Sequence, residues 1–399
     1  MRIDNHIKLD FDDVLITPQR SSLDSRADVN LKRTFKFCHS KRTLTCFPII
    51  SSNMDTCGSF NVSKALSKHN MLTALHKHYS IEELVKFFYE NEQVWDYTFY
   101  TIGCNEKDLE KLQSVRQSIA MEISGGDETI YHDAMKDFPR LLCLDAANGY
   151  TENFVEHLKK IRSLFPNAII MAGNVVTGNV TEELILKGAD IVKVGIGSGS
   201  ACLSRLVAGI GIPQVSAIDD CAYQAHGLNG HVCSDGGVVY TGDIAKAFGV
   251  GADFVMCGGL FAGTEECDGE WIYEVERYGD NKHLVECKTD EDYTKLWEKY
   301  IYQDAAYTVT KHALKFHGMS SEEAMNKWNG GVSSHRTSEG KEVTVPYKGS
   351  IDKIVQEIKG GVSSCCTYSG AINLKDLPKC AQFIRVNNTH NRSLNKYEN

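Results

Sequence analysis

Eight short apolar runs recur along the first two thirds of the chain, and they constrain its fold more than any other feature. They span residues 48–53, 72–78, 97–103, 141–147, 168–174, 191–197, 231–237 and 254–259. Each run is rich in β-branched or aliphatic residues and most end in Gly, Asn, Asp or His, as strands commonly do. Segments with helical spacing, such as residues 152–165 and 181–189, separate most of them. Apolar strands that alternate with helices predict a covered parallel sheet, and eight such units predict an α/β fold of the closed (β/α)8 TIM barrel type.

A doubly wound open sheet is the alternative fold. A dinucleotide-binding sheet of that kind carries G-x-G-x-x-G after its first strand. The glycine-rich stretch at residues 195–200 follows the sixth predicted strand instead, and its last residue is Ser200. We therefore favour the barrel.

The regular alternation of apolar runs and helical segments ends at Gly259. Residues 260–350 show no comparable strand series, and their composition predicts a helix near 291–315. We interpret the whole chain, 1–399, as one barrel domain in which 260–350 is a long flap insertion after strand eight, lying over the C-terminal face.

Composition excludes several classes of function. The net charge is -9 and no long basic run is present, which argues against a nucleic-acid partner. The 14 cysteines include no C-x-x-C pair, so free thiols in a reducing compartment are expected in place of zinc sites or disulfides. The first residues carry charges throughout and no run of 18 apolar residues exists, so we expect a cytoplasmic protein without a membrane partner.

The loop after the predicted sixth strand holds the first candidate for chemistry. In a TIM barrel the active site lies at the C-terminal ends of the strands. The stretch VGIGSGSACLSR, residues 194–205, places Cys202 there. A cysteine is most often a small buried hydrophobe, but this position makes Cys202 the candidate nucleophile, with Arg205 near enough to hold a thiolate. The exposed backbone of such a glycine-rich loop can also bind an anion or a monovalent cation.

Paired glycines follow the predicted strands seven and eight. These are SDGG, residues 234–237, and CGG, residues 257–259. A single Gly pair usually makes only a tight turn, but barrels commonly bind phosphate at these two loops, so both pairs together predict a phosphate site. Asp235 suits a ribose diol. A single flap carboxylate such as Glu339 is normally only solvated, and it matters only if the flap folds over the barrel mouth.

Further polar residues at strand ends complete a polar ring around the predicted mouth, as an active site requires. They are His76, Lys77, His78, Asp145 and Asn174.

Taken together, these residues resemble the IMP dehydrogenase and GMP reductase family. The resemblance covers nearly the whole chain, through DDVLITPQRS, NMDT, AGNVVTG, KVGIGSGSAC, SDGG, GADFVM, VPYKG and FIRV. The family fold is a (β/α)8 barrel. HKHYS, GMSSEEAM, HRTSEGK and CTYSGA are similar to the reductase branch, and too few residues separate strands two and three for the CBS-domain pair that dehydrogenases commonly insert there.

The resemblance implies an NADPH-dependent oxidoreductase of purine metabolism that converts GMP to IMP and ammonia. A thiolate adds at purine C2, ammonia leaves, and the resulting thioimidate accepts hydride. Cys202 matches the nucleophile, and Ser204 and Glu339 match a proton-transfer pair.

The same resemblance assigns the remaining site residues. Residues that match the GMP/IMP site are Ser200, Asp235, Gly236, Gly237, Gly258, Gly259, Gly318, Met319, Ser320, Arg336, Thr337, Ser338 and Gly340. Residues that match the NADPH site are Ser25, Arg26, Lys77, Asp145, Ala146, Ala147, Ile196, Gly197, Met319, His335, Arg336, Ser364, Cys365, Cys366 and Thr367. Residues that match a potassium (K+) loop are Gly197, Gly199, Cys202 and Arg205. Ser25 and Arg26 are expected to reach the cofactor of a neighbouring subunit, since the family is usually a homotetramer.

The chain departs from the family pattern in its cysteine loop and in its insertion. Ser198 stands where the family has proline, Leu203 where it has a threonine, and Ser204 where it has a second threonine. Losing proline should loosen the loop, and we expect the chemistry to survive at a lower rate. Residues 265–316 also look longer than in typical reductases. Two alternatives therefore remain: an IMP dehydrogenase without CBS domains, although its flap Arg-Tyr pair is missing, and a purine-nucleotide-binding protein that has lost turnover.

Overall fold

The computed structural model describes residues 3–277, 282–301, 307–331 and 337–387. All eight apolar runs form parallel strands, and β8 pairs with β1 to close a barrel. In chain order the strands are β1 (Ile49–Ser51), β2 (Leu72–Ala74), β3 (Thr98–Ile102), β4 (Leu141–Asp145), β5 (Ile169–Val175), β6 (Ile191–Val194), β7 (His231–Asp235) and β8 (Phe254–Cys257). The predicted (β/α)8 barrel is confirmed.

Helices cover the outside of the barrel, and several of them begin at a side-chain cap. Ser80 is an example: its hydroxyl accepts from the Glu83 amide at 3.2 Å, and the Glu83 carboxylate accepts from the Ser80 amide at 2.7 Å. The barrel helices are Phe60–Ser67, Ile81–Glu90, Glu106–Ser124, Glu128–Asp137, Glu152–Leu164, Gly178–Leu186, Ser204–Val207, Gln214–Gly227, Thr241–Val250 and Ile351–Ser369. A short helix, Leu377–Cys380, follows them.

The lower end of the barrel is closed by an antiparallel hairpin. Its strands are Arg33–Lys36 and Thr43–Cys46. Phe35 on the first strand and Phe37 just after it pack into the barrel core. Phe35 stacks on Phe254 of β8 with ring centroids 4.3 Å apart. With this end filled by aromatic rings, only the C-terminal end of the barrel is open for a site.

The chain ends are tied together beside the barrel. Val14–Thr17 pairs antiparallel with Gln382–Arg385. The 3-10 helix Arg26–Asp28 packs near helix Ile351–Ser369. Among the described residues, no helix combines the length and apolar character that crossing a membrane requires.

The insertion has more regular structure than the sequence suggested. Four strands form an antiparallel sheet in the order β10-β9-β11-β12: β9 (Trp271–Arg277), β10 (His283–Cys287), β11 (Tyr307–His317) and β12 (Glu342–Pro346). The expectation that 260–350 lacks strands was therefore wrong.

The helix expected near 291–315 is also shorter than predicted. It spans Asp290–Tyr300, and Tyr307–His317 is a strand. In that strand half-buried and exposed residues alternate along YTVTKH, and its β-branched residues favour a pleated strand. The period of two is therefore the signal that separates this strand from the helix before it. A second helix, Glu322–Asn329, lies between β11 and β12.

A charge cluster around the buried Asp253 holds the hairpin to the barrel. Asp253 accepts from Arg33 at 2.8 Å, and its second oxygen lies 2.8 Å from His226 Nε2. The Asp253 carboxylate raises the pKa of His226. Burial alone would raise the pKa of Asp253, but its histidine and arginine partners hold it well below the ordinary value.

Replacing Asp253 with Ala should lower the free energy of unfolding by about 3–5 kcal/mol, because it removes the buried carboxylate that pairs with Arg33, whose side chain is only 15% exposed. The loss should be largest between pH 3.8 and 6.5, the ordinary pKa values of Asp and His. It should shrink as pH rises through the raised pKa of His226 and as pH falls toward the depressed pKa of Asp253. Denaturant unfolding across pH measures this. Asp133→Ala on an exposed helix is the control and should change stability by less than about 0.5 kcal/mol. An equal loss in both variants would contradict the argument.

Candidate active site

The cysteine loop follows β6 at the open end of the barrel. The chain turns at residues 198–201, where the Cys202 amide donates to the Gly199 carbonyl at 3.0 Å. Helix Ser204–Val207 then begins. The Cys202 thiol is partly exposed and donates to the Ser204 hydroxyl, with Sγ and Oγ 3.4 Å apart. The nucleophile candidate and its predicted proton-transfer partner therefore touch.

The flap segment, which we define as residues 318–331 and 337–341, lies over this loop. Ser204 Oγ donates to Glu339 Oε2 at 2.5 Å. The Leu203 amide donates to the Glu339 carbonyl at 2.6 Å, and the Lys341 amide donates to the Ala201 carbonyl at 3.1 Å. These bonds make residues 339–341 a short antiparallel partner of residues 201–203, so thiol, hydroxyl and carboxylate form one hydrogen-bonded series.

Two glycines permit this close approach. A Cβ on Gly340 would stand 2.8 Å from the Ser321 amide nitrogen, and a Cβ on Gly318 would stand 2.7 Å from the Ala201 carbonyl oxygen. Both distances are too short for any side chain. The turn that contains Gly318 is itself bonded to the segment around Glu339, since the Glu339 amide donates to the Ser320 carbonyl at 3.1 Å.

A buried lysine that sequence reasoning missed joins two predicted site carboxylates. Lys193 on β6 lies 2.5 Å from Asp145 Oδ1 and 3.2 Å from Asp235 Oδ2, and its own side chain is 3% exposed. Burial by itself would lower the pKa of Lys193, but the two carboxylates raise it well above the ordinary value. Asn174 fixes Asp235 further by donating to Oδ2 at 2.9 Å. A charged residue inside the apolar run IVKV was the available signal.

The predicted phosphate loops lie beside the cysteine loop. The Ser198 hydroxyl donates to the Asp235 carbonyl at 3.1 Å, which ties the loops after β6 and β7 together. The Ser200 hydroxyl stands 3.6 Å from the position that a Gly259 Cβ would occupy. A second residue not singled out from sequence, Lys348, donates to the Gly259 carbonyl at 2.7 Å. Burial lowers the pKa of Lys348.

Arg205 has different partners from those expected. Its guanidinium pairs with Asp10 Oδ2 at 2.8 Å and donates to the Ile212 carbonyl at 3.2 Å. Its side chain packs against Gly197 and Gly211. Among the described residues Arg205 therefore braces the cysteine loop from Asp10, and its role in holding a Cys202 thiolate stays a prediction.

The other predicted residues fall into three groups. At the mouth, Asp145 ends β4, whereas the loops after β2, β4 and β6 hold Lys77, Ala146, Ala147, Ile196 and Gly197. The loops after β7 and β8 hold Gly236, Gly237 and Gly258. In the flap segment, Met319, Thr337 and Ser338 lie with Gly318 and Gly340, and Ser338 Oγ donates to the Gly340 carbonyl at 2.8 Å. His335 and Arg336 lie outside the described residues.

The third group lies away from the cysteine loop. Ser364, Cys365, Cys366 and Thr367 are in the last half of helix Ile351–Ser369, and the Cys366 side chain is fully buried in the core. Ser25 caps the short helix Arg26–Asp28, which packs near the same helix. Residues 25–26 and helix Ile351–Ser369, which carries residues 364–367, therefore lie on neighbouring elements.

Fold and site together define a barrel enzyme with a thiol, a hydroxyl and a carboxylate in series at its mouth. The family model for the IMP dehydrogenase / GMP reductase domain matches residues 8–285 and 301–394. The chain belongs to this family. The residues between the matched ranges, 286–300, include the whole of helix Asp290–Tyr300 and lie within the segment expected to be long for the family.

Curated relatives match over nearly full length. GMP reductase 1 of Homo sapiens is 46% identical over 390 residues, covering 98% of each chain. GMP reductase of Buchnera aphidicola is 46% identical over 400 residues, covering 100% of each chain. GMP reductase of Caenorhabditis elegans is 46% identical over 387 residues, covering 96% of this chain and 94% of its own.

Replacing Gly340 with Ala should open the flap segment, because the added Cβ collides with the Ser321 amide. Alkylation of Cys202, followed by mass spectrometry, should become roughly tenfold faster, as expected when about one backbone hydrogen bond is lost. Gly360→Ala is the matched control, since its Cβ meets nothing within 4 Å. Unchanged alkylation in Gly340→Ala would contradict the close pairing.

Proposed function

We propose that this protein is a GMP reductase that converts GMP to IMP and ammonia with NADPH. The observation that carries the proposal is the series Cys202–Ser204–Glu339, in which each group contacts the next. Full-length relatives named GMP reductase support it. The dehydrogenase and the turnover-deficient alternative are not favoured, since the relatives are reductases and the altered loop still assembles the series.

The series supplies what deamination at C2 needs. Cys202 adds through sulfur to purine C2 and makes that carbon tetrahedral. The amino group must be protonated before it can leave as ammonia, and the C2–N bond then breaks to leave a thioimidate. When bound, NADPH supplies the hydride that adds at C2, and breaking the C2–S bond then gives IMP and frees the Cys202 thiolate.

Ser204 and Glu339 move the protons for these steps. The Ser204 hydroxyl is bonded on one side to the thiol and on the other to the carboxylate, so a proton can pass from sulfur toward Glu339. The same pair can return a proton to the departing amine. The flap segment must be closed for this transfer, because Glu339 reaches Ser204 only through the pairing of residues 339–341 with 201–203.

The nucleotide contacts follow from the loops at the mouth. Ser200, Gly236, Gly237, Gly258 and Gly259 present amides and a hydroxyl to the phosphate, together with Ser320 from the flap. Asp235 takes the ribose diol and is held for that purpose by Lys193 and Asn174. Gly318, Met319, Gly340 and their flap neighbours cover the base.

The residues at the β2 and β4 ends fit an anionic dinucleotide. The Lys77 ammonium is half-buried at the mouth, and no carboxylate of the described residues lies within ion-pair distance of it. Lys77 is thus free to pair with a cofactor phosphate or amide. Asp145 is ion-paired with Lys193, which weakens its repulsion of an anionic cofactor. Burial would raise the pKa of Asp145, but Lys193 lowers it.

The cysteine loop fits a potassium ion. Its carbonyls at Gly197, Gly199 and Cys202 are neutral oxygens, which suit a weakly hydrated monovalent cation. Arg205 is ion-paired with Asp10 and braces the loop that carries these carbonyls. Its contribution to the ion site would be its own backbone carbonyl.

The distant group of cofactor residues supports an oligomer. Helix Ile351–Ser369 starts near the mouth, and at 1.5 Å per residue Ser364 lies roughly 20 Å farther down. Ser25, Arg26 and the segment 364–367 therefore suit the cofactor of a neighbouring subunit in a homotetramer. The free cysteines favour a cytoplasmic location.

Purified protein mixed with GMP and NADPH in potassium buffer should lose reduced-nicotinamide absorbance and release one ammonia per NADPH consumed. Cys202→Ala should stay folded and bind GMP but show no turnover. Cys38→Ala, at the opposite end of the barrel, is the control and should keep its activity. Turnover by Cys202→Ala would refute the nucleophile, and turnover of IMP with NAD in place of GMP would indicate the dehydrogenase.

Ser204→Ala and Glu339→Gln should each lower kcat by roughly 100- to 10,000-fold, the usual contribution of a positioned proton-transfer group. Because the two act in series, the double variant should lose little more than either single variant. Stopped-flow absorbance gives these rates. The exposed flap-side carboxylate Glu342, changed to Gln, is the control. Additive losses would show that the two residues act independently.

A further inference from the structure

Asp55 is a buried carboxylate on the loop after β1 that no step above uses. Its side chain is 1% exposed. Three groups from the insertion meet its Oδ2 atom: Lys327 Nζ at 3.1 Å, Trp328 Nε1 at 3.0 Å and His317 Nε2 at 3.3 Å. Burying a carboxylate is unfavourable unless such partners compensate it. Because all three partners belong to the insertion, the Asp55 carboxylate is compensated only while the flap segment lies closed over the barrel.

The electrostatics keep this carboxylate charged. Burial alone would raise the pKa of Asp55, but the contacts of His317 and Trp328 and the charge of Lys327 hold it well below the ordinary value. Asp55 in turn raises the pKa of His317. The charged groups that face His317 are Asp55 from the β1 loop, Lys327 from the helix Glu322–Asn329 and Glu342 from β12.

The three partners bracket the turn at residues 318–321. His317 precedes the turn, and Lys327 and Trp328 lie on the helix that follows it. The turn is bonded to the catalytic part of the flap at two points, Ser320 carbonyl to Glu339 amide at 3.1 Å and Gly318 amide to Lys341 carbonyl at 3.2 Å. A contact at Asp55 is therefore transmitted to Glu339 by a short path of packed backbone.

A second contact reinforces the first. The Trp328 ring stacks on His78 of the β2 loop, with centroids 4.3 Å apart and planes at 13°. Burial lowers the pKa of His78 to about 4, so the ring is neutral near pH 7 and stacks without a charge. The helix Glu322–Asn329, which we call the flap helix, is thus fixed to the loops after β1 and β2, next to Lys77.

We propose that Asp55 is a positioning residue of the reductase: it anchors the flap helix and the end of β11 to the barrel and so holds Glu339 against Ser204. The inference rests on the proposed reductase function. Asp55 does not touch the reacting atoms, and it acts through Lys327, Trp328 and His317.

The test compares Asp55→Asn with the flap-side variants Lys327→Met and Trp328→Phe. Amide hydrogen exchange in residues 318–331 and 337–341 should accelerate at least tenfold in each, while exchange in β1–β8 stays unchanged. kcat with GMP and NADPH should fall by roughly 10- to 100-fold, as misplacement of a catalytic group does. Glu323→Gln, an exposed charge on the same helix, should alter neither quantity.

The two readouts separate positioning from a general loss of structure. If Asp55→Asn does not fold, Lys327→Met and Trp328→Phe test the proposal in its place. The Lys327 side chain is 38% exposed, so its replacement should not prevent folding. Folded variants with unchanged flap exchange would overturn the proposal, and so would faster exchange with unchanged kcat. A wild-type protein inactive toward GMP would refute the proposed function, whereas the exchange data would still show whether Asp55 anchors the flap.

Discussion

The short antiparallel pairing of residues 339–341 with 201–203 is the interaction on which the site depends. Two backbone hydrogen bonds bring the insertion onto the cysteine loop, and only then does Glu339 reach Ser204. A ladder this short is weak alone. It persists because Gly318 and Gly340 allow backbone contact and because Asp55 and His78 hold the flap helix in place.

The barrel supplies a rigid frame for this pairing. Lys193 joins the ends of β4 and β7 through Asp145 and Asp235, so the proposed cofactor and ribose contacts are held by one buried charge. Buried charges of this kind stabilise the fold only when every partner is present. The positions of Asp145 and Asp235 at the barrel mouth are therefore fixed relative to Lys193. Lys348 and Arg205 brace the loops after β8 and β6 in the same manner, each through a backbone carbonyl.

The insertion illustrates where pattern reasoning fails. Its sequence is polar and aromatic, and its composition predicts a helix near 291–315 that runs into the strand Tyr307–His317. The strand forms because β9 and β12 pair with it on both sides, a long-range interaction that local propensity does not contain. Helix Asp290–Tyr300 packs against this sheet through Tyr293 on Tyr273, with ring centroids 4.9 Å apart.

The sequence by itself determined the barrel and named the candidates for its chemistry. Eight apolar runs can be buried only in a covered parallel sheet, and Cys202, Ser204, the glycine pairs and Glu339 stand in motifs that resemble those of the family. Only the tertiary structure decided which polar groups meet. Lys193 between two carboxylates, Arg205 on Asp10, and Asp55 beneath the flap helix join residues from 42 to 273 positions apart. Such pairings depend on how strands and insertion pack, and no spacing along the chain encodes them.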